Sequence, residues 1–511
     1  MSDTQPTDTS PYAELQRSLR ESATLASAVS VLGWDQETYM PPKAAAFRGE
    51  QMAALSAIVH ERRTDPRVGE LIAACEEEAE LQRDEEAAAS IRALRRDYDR
   101  ATRLPTPLVR AFAQTTSRAM HAWRDAREQS DFGAFAPWLQ EVVDLNRERA
   151  QAFGIPAGGE AYDALLEDYE PGMTAAEIRR TFDALRAGLA PLIREIAASG
   201  RRPDDSWQRT PIPVERQVEF NRWVVEQMGF DFETGRMDVS AHPFCEGIAP
   251  GDVRMTTRYR DDAWADALNS TMHETGHALY EQNLPKAERF GQPLAEAASM
   301  GIHESQSRTW ENLVGRSRPF WEWALPRMQQ SLGEPALHAL DVETVYRGMN
   351  VVEPGLIRVA SDEATYNLHI MLRFDLERSL VTGDLSVADL PAAWNDRIRD
   401  DLGLQVPSDA DGVLQDIHWS MGAIGYFPTY ALGNLYAAQF WETIRGALPD
   451  LDDQLRRGEF APLTGWLREN IHAHGRRYTA PELCQRITGR PLVHEPLLAY
   501  LEEKLRPIYG I

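Results

Sequence analysis

Cysteine is scarce in this chain: among 511 residues it occurs only at Cys75, Cys245 and Cys484. Three thiols this far apart build neither a disulfide framework nor a thiolate cage for a metal, and they fit a reducing compartment. Lysine is as rare, present only as Lys43, Lys286 and Lys504, so arginine supplies nearly all of the 54 basic side chains. Positive charge is short overall, since 79 acidic residues leave a formal net charge of −25. A nucleic acid is therefore an unsuitable partner, because its phosphates are bound by Lys and Arg neutralisation. No run of 18 apolar residues exists, which excludes a membrane-spanning helix from the reading. The first ten residues (MSDTQPTDTS) are polar and have neither the basic nor the apolar region of a secretory signal. The expectation is a cytoplasmic protein with a frayed tail over residues 1–10 and no membrane or nucleic-acid partner.

What is present is the composition of a globular protein, 43% hydrophobic and 26% charged, which at this length buries roughly three quarters of its unfolded surface. Apolar residues recur at three-to-four spacing, as in Leu15, Leu19, Ala23 and Ala26, or Phe182, Leu185, Leu189 and Ile193. That period predicts an all-α, mainly helical fold. Arg/Glu/Ala-rich helices are expected over 61–103 and 112–153, broken at Asp65-Pro66 and at Leu104-Pro105-Thr106-Pro107. Short strands are expected at Val239–Cys245 and Val253–Tyr259, where β-formers gather. No repeat or clear linker divides the chain, so residues 11–511 read as one large body, with 196–211 as a surface loop or lobe boundary.

The decisive segment is His273-Glu274-Thr275-Gly276-His277. Two histidines at i and i+4 share one helix face, so both imidazoles can ligate a single Zn²⁺, and the intervening Glu lies beside the ion's water. The ion lowers the pKa of that water, and Glu274 accepts the proton and later delivers it to a leaving amine. Ala265, Leu268, Met272 and Leu279 fall on a side of the same helix that can be buried.

A catalytic zinc keeps three protein ligands and one open position. Glu281, Glu296, Glu304 and Glu311 are the nearby carboxylates. Glu281 sits two turns beyond His273, too far along the axis to share its metal. A second helix, expected over Pro293–Val314, offers the other three, and periodicity alone does not choose among them.

The pairing of HETGHALYEQ (273–282) with HESQSRTWEN (303–312) resembles the carboxypeptidase Taq family of zinc metallocarboxypeptidases. The resemblance extends to His242-Pro243-Phe244, Asp252-Val253-Arg254-Met255-Thr256, the IRVASD stretch 357–362 and the GVLQDIHW stretch 412–419. Trp34-Asp35-Gln36-Glu37-Thr38, followed by Met40-Pro41-Pro42, is also similar, and one departure is Ser361 where the family pattern has Ala. The resemblance implies a two-lobed, saddle-like helical body with a deep groove, a few short strands near the site, and a homodimer. It implies removal of single C-terminal residues from peptides with broad side-chain tolerance. Carried onto this sequence, it makes His273, His277 and Glu304 the metal ligands and Glu274 the general base, with Zn²⁺ the default ion and Co²⁺ an alternative.

A carboxypeptidase must also hold the free C-terminal carboxylate, which a planar guanidinium does bidentately. The motif positions make Arg358 the first choice and Arg254 the second, and Gln415 is assigned to substrate binding with them. For the oxyanion, the stretch 418–430 offers His418 together with Tyr430 or Tyr426. His303 and Asp416 are expected to orient ligands from behind. His242 is expected to shape a turn or touch substrate, Trp34 to pack, and Cys245 to be an inert buried thiol. Two rival readings remain: a helical zinc oligopeptidase that cuts internal bonds, and a noncatalytic helical scaffold with a relic metal site.

Overall fold

The computed structural model describes residues 10–511. Residues 1–9 of the expected tail lie outside the described residues, whereas Ser10 belongs to the fold. Its hydroxyl accepts from the Ala13 N–H and caps the helix Pro11–Thr38, satisfying one of the orphan donors of the first turn.

Helices follow one another through almost the whole described chain, as the apolar spacing predicts. Both expected breaks occur. Asp65 caps the helix Pro66–Glu77, and Pro105 precedes the helix Thr106–Gln129. Three further breaks divide what reads in sequence as continuous helix, the first at the extended Glu78, between Pro66–Glu77 and Ala79–Arg83. Asp84 caps Glu85–Arg103 with two hydrogen bonds from backbone N–H groups, and Ser130, at φ 53°, separates Thr106–Gln129 from Phe132–Phe153. Asp131 then accepts from the Ala134 N–H to start the second of these helices.

Three short strands, β1 (Gly235–Val239), β2 (Cys245–Ala249) and β3 (Asp252–Thr257), form a sheet in the order β1-β3-β2. β1 runs parallel to β3 and β2 antiparallel to it. The strand expected at Val239–Cys245 is instead the connection between β1 and β2, because the residue before Pro243 and the proline itself resist ladder pairing. The Ser240 hydroxyl donates to the His242 carbonyl (2.6 Å), and Thr256 on β3 accepts from the Phe244 N–H (3.0 Å), so β3 fixes the His242-Pro243-Phe244 turn.

One continuous core gathers buried side chains from Ala119 to Tyr509, on both sides of the 196–211 segment. A separate small cluster of Leu15, Val68, Leu71, Ile72, Cys75, Ile91 and Leu94 holds the first helices together. Arginines join that cluster to the rest: Arg476 bonds Asp97 (2.8 Å) and Arg477 bonds Glu85 (2.5 Å). The guanidiniums of Arg236 and Arg254 lie 4.9 and 4.6 Å from the centre of the Trp34 ring.

The helix Trp264–Asn283 carries the HETGH motif and stops before Pro285, with Leu284 extended as a residue before proline must be. Ala265, Leu268, Met272 and Leu279 are buried, as expected. The second expected helix is shorter than its sequence reading. After a 3₁₀ turn at Pro293–Ala295, Glu296 and Ser299 are extended, and the α-helix runs from Met300 to Arg308 before a π-helical turn at Thr309–Val314. Long-range partners set its start. The Glu170 carboxylate, fully buried, accepts from the Gly301 N–H (2.9 Å) and the Ser299 hydroxyl (3.0 Å), while Ala298 donates to the Tyr280 hydroxyl (3.1 Å).

The two helices touch backbone to backbone at Gly276, where a Cβ would lie 2.6 Å from the Gln306 carbonyl oxygen and from the Ser307 Cα. On the opposite side, Gly433 of the helix Pro428–Ala447 approaches Glu304, whose Cβ would be 2.6 Å from an added methyl. Alanine at position 276 gains roughly 0.5–1 kcal/mol of helix propensity but forces the backbones apart, an overpacking cost of about 1–3 kcal/mol. Gly276→Ala is therefore expected to lower the Tm. Gly49→Ala, in the helix Ala45–Arg63 with nothing within 4 Å of the new methyl, is expected to raise it. Thermal denaturation followed by circular dichroism reads both signs, and a stabilised Gly276→Ala protein would contradict the contact.

Candidate metal centre

Helical spacing brings His273 and His277 together with ring centroids 4.8 Å apart and planes nearly perpendicular. Glu304 faces them from the helix Met300–Arg308. Its Oε2 is 3.8 Å from His273 Nε2 and 3.6 Å from His277 Nε2. These separations are too long for hydrogen bonds and suit three donors that surround a common centre. All three ligand atoms lie within 4.8 Å of one another. Two imidazole nitrogens and one carboxylate oxygen form the donor set of a catalytic zinc site with an open fourth position, so the residues present fit such an ion.

The surroundings fix the state of each ligand. His273 Nδ1–H donates to Glu311 Oε2 (2.8 Å), which turns Nε2 toward the common centre; against the effect of burial, Glu304 and Glu311 raise this imidazole above its ordinary value. Arg308 donates through Nε to Glu304 Oε1 (2.7 Å) and through Nη1 to Glu311 Oε2 (3.0 Å). One Glu304 oxygen is thus held by the guanidinium and the other is left to the imidazoles. Burial alone would raise the Glu304 carboxyl, but Arg308 and the histidines hold it well below the usual carboxylate range. Burial, and then His303, lowers His277 to about 3, so its imidazole is neutral. His303 stacks on His277 at 4.4 Å and donates to Glu281 Oε1 (2.9 Å), which is also paired with Lys286. Glu296, the remaining carboxylate, pairs with Arg476.

Glu274 is buried beside the ligands, and among the described residues its carboxylate makes no hydrogen bond. Burial pushes it up to about 7, against the opposing pull of His273. A base that takes a proton from water near neutrality needs such a carboxylate. The Cys245 thiol is raised far above its ordinary value by burial, then by Glu281 and Glu274, which leaves it unreactive.

A groove of about 780 Å³ opens over the centre, with His273, Arg308, Glu311, Arg358, His418 and Tyr430 in its wall. Arg358 is 6% exposed there. Its Nε and Nη2 donate to Asp416 Oδ1 (3.0 and 2.7 Å) and its Nη1 to the Tyr366 hydroxyl (3.2 Å). Arg373 takes the other oxygen of the same carboxylate, Nε to Oδ2 at 2.7 Å. His418 Nε2 lies 3.3 Å from the Tyr430 hydroxyl, and burial lowers the imidazole to about 4. Tyr426 packs beside Tyr430 with ring centroids 5.3 Å apart.

Two sequence candidates are engaged elsewhere. Arg254 grips Asp252 with two 2.7 Å bonds under Trp34. Gln415 spends its amide on protein: Oε1 accepts from the Arg358 N–H (2.9 Å), and Nε2 donates to the carbonyls of Leu356 and Gly412. His242 lines the groove from its turn. The sequence reading missed Arg308, Tyr366 and Arg373. Arg308, four residues after Glu304, carries a helical signal that could have found it. The other two have no local signal.

A profile of the carboxypeptidase Taq (M32) metallopeptidases matches residues 14–505. The chain is 46% identical to thermostable carboxypeptidase 1 of Thermus thermophilus, over 98% of this chain and 99% of that one. It is 36% identical to carboxypeptidase 1 of Bacillus subtilis over 94% and 95% of the two chains. Among solved structures, the M32 carboxypeptidase of Deinococcus radiodurans R1 superposes with a TM-score of 0.94 at 40% identity, covering 98% of this chain and 100% of that one. Trypanosoma cruzi metallocarboxypeptidase 1 superposes at 0.93 with 36% identity, covering 97% and 99%. Matched over nearly its whole length in sequence and in fold, the chain belongs to the carboxypeptidase Taq (M32) family and is a metal-dependent carboxypeptidase.

Proposed function

We propose that the ion is zinc, held by His273, His277 and Glu304, that Glu274 is the general base, and that Arg358 binds the substrate's C-terminal carboxylate so that single residues are released. When bound, the ion supplies Lewis-acid polarisation of the scissile carbonyl and acidifies a water. Glu274, its lone pairs uncommitted to protein donors, accepts the proton from the attacking water and passes it to the leaving nitrogen. Tyr430, which lines the groove and is paired with neutral His418, is favoured over Tyr426 as the donor to the carbonyl oxygen.

The observation that carries the reading is the charge around Asp416. Two guanidiniums share one carboxylate, so Asp416 alone does not balance Arg358 on the groove wall. A buried charge in this position calls for a counterion, and a peptide's terminal carboxylate supplies one of matching geometry. Arg254 and Gln415 then act only indirectly, Gln415 by fixing the backbone of Arg358. The three thiols, two of them buried, support a reducing cytoplasmic location. The homodimer implied by the family resemblance is part of the same proposal.

Glu274→Gln leaves the ligands intact and removes the base. The variant is expected to hold about one ion per chain, as elemental analysis would show, while kcat falls roughly 10²-fold to 10⁴-fold. Near-normal turnover would mean that another group activates the water. Arg358→Ala leaves Asp416 neutralised by Arg373, so the fold should persist. Its kcat/KM for free-acid peptides should drop by about 2–5 kcal/mol in transition-state terms, with only partial recovery in Arg358→Lys. Peptide amides, which lack the carboxylate and are expected to be poor substrates, should be unaffected. Equal losses on acids and amides would make Arg358 structural, and the same assay on Arg254→Ala would then test the second candidate for the carboxylate.

A further inference from the structure

The helix Thr365–Thr382 is buried along most of its length, yet it carries a polar stripe. Tyr366, His369, Arg373 and Glu377 stand at i, i+3, i+7 and i+11, on one face, and His369, Arg373 and Glu377 are each 0% exposed. Apolar side chains of similar volume would serve a core helix as well or better, since buried charges commonly cost stability. The identity of their partners explains why polar groups stand here.

Each member of the stripe grips a segment that builds the groove. The Tyr366 hydroxyl receives Arg358 Nη1, and His369 Nε2–H donates to the Gly355 carbonyl (3.0 Å), three residues before Arg358. Arg373 holds Asp416, the carboxylate that orients Arg358. Glu377 holds the next stretch at two points. Its Oε1 accepts from Trp419 Nε1–H (2.9 Å), adjacent to His418, and its Oε2 from the Gly425 N–H (3.1 Å), adjacent to Tyr426. The Tyr162 hydroxyl supplies a third donor (2.7 Å). Two of these partners, the Trp419 ring N–H and the Gly425 N–H, can only donate, so both Glu377 oxygens are held as acceptors. Gly425, at φ 96°, lets the chain turn there against Leu165 and Leu166.

We propose that Glu377 is a positioning residue of the peptidase reaction, fixing the 416–430 segment so that His418 and Tyr430 meet the scissile carbonyl, while His369 and Arg373 fix Arg358. The inference rests on the roles proposed above for Arg358 and Tyr430. It makes one rigid helix the common frame of the two halves of the groove, and it divides the kinetic consequences between them. Loss at Glu377 should act on kcat, and loss at His369 on KM for free acids.

The test is steady-state kinetics of the full-length, metal-loaded enzyme on a blocked free-acid peptide, with metal content and Tm measured in parallel. In Glu377→Gln an amide donor must face Trp419 or Gly425, whichever way the amide lies. Its kcat is expected to fall about tenfold to a hundredfold, the scale of a small misplacement of reacting groups, with KM within about threefold of the parent and metal content unchanged. Trp419→Phe deletes the segment's half of the same contact and should reproduce the kcat loss if Glu377→Gln folds poorly. The double variant should then lose no more than the worse single one. His369→Phe should raise KM about tenfold and leave kcat within about threefold. Unchanged kcat in both Glu377→Gln and Trp419→Phe, losses that simply follow lost metal or lost fold, or an additive double variant would overturn the proposal. If Glu274→Gln and Arg358→Ala behave as expected while these variants do not, this inference fails alone.

Discussion

The placement of one carboxylate governs the rest of the structure. Glu304 is buried, ionised and held on three sides: by Arg308 on its own helix, by the backbone contact at Gly276 that sets the distance to the two histidines, and by Gly433 behind it. A carboxylate buried without Arg308 would be costly and would tend to protonate. With Arg308 holding one oxygen, the other is left as an anionic donor aimed at the imidazoles. The same guanidinium holds Glu311, which fixes the tautomer of His273. One arginine therefore sets the charge of one ligand and the orientation of another.

Charge balance also organises the groove. The chain carries a net charge of −25, yet at Asp416 two guanidiniums, Arg358 and Arg373, share one carboxylate. Arg308 lies over the Tyr366 ring at 4.7 Å, and Tyr366 receives Arg358. The candidate metal ligands and Arg358, the arginine proposed to bind the carboxylate, are thus joined through a short series of packed side chains. That arrangement suits an enzyme that must hold its cleavage point at a fixed distance from a chain end.

Legibility in sequence followed the range of the contacts. The His273 and His277 pair, the buried face of their helix and the breaks at Asp65-Pro66 and Leu104-Pro105 depend on neighbours within a turn or two, and sequence alone places them. Glu304 and Glu311 are seven residues apart, hence on the same helix face, and periodicity cannot rank them. The difference between them comes from the π-helical turn at Thr309–Val314 and from Arg308. The late start of that helix at Met300 depends on Glu170, far earlier in the chain. Likewise the stripe on Thr365–Thr382 reads as noise in an apolar helix until Gly355, Asp416, Trp419 and Gly425 are seen against it. The turn expected at His242 is present, and it displaces the strand expected over Val239–Cys245, because proline chemistry outweighs the β-formers around it.

The most direct measurement is anomalous diffraction at the zinc absorption edge from crystals of the zinc-loaded chain. A single strong peak about 2.0–2.2 Å from His273 Nε2, His277 Nε2 and Glu304 Oε2, with Glu311 off the ion and still bonded to the far nitrogen of His273, is the predicted result. A peak coordinated by Glu311 or Glu281 in place of Glu304, or none between the two imidazoles, would contradict the account.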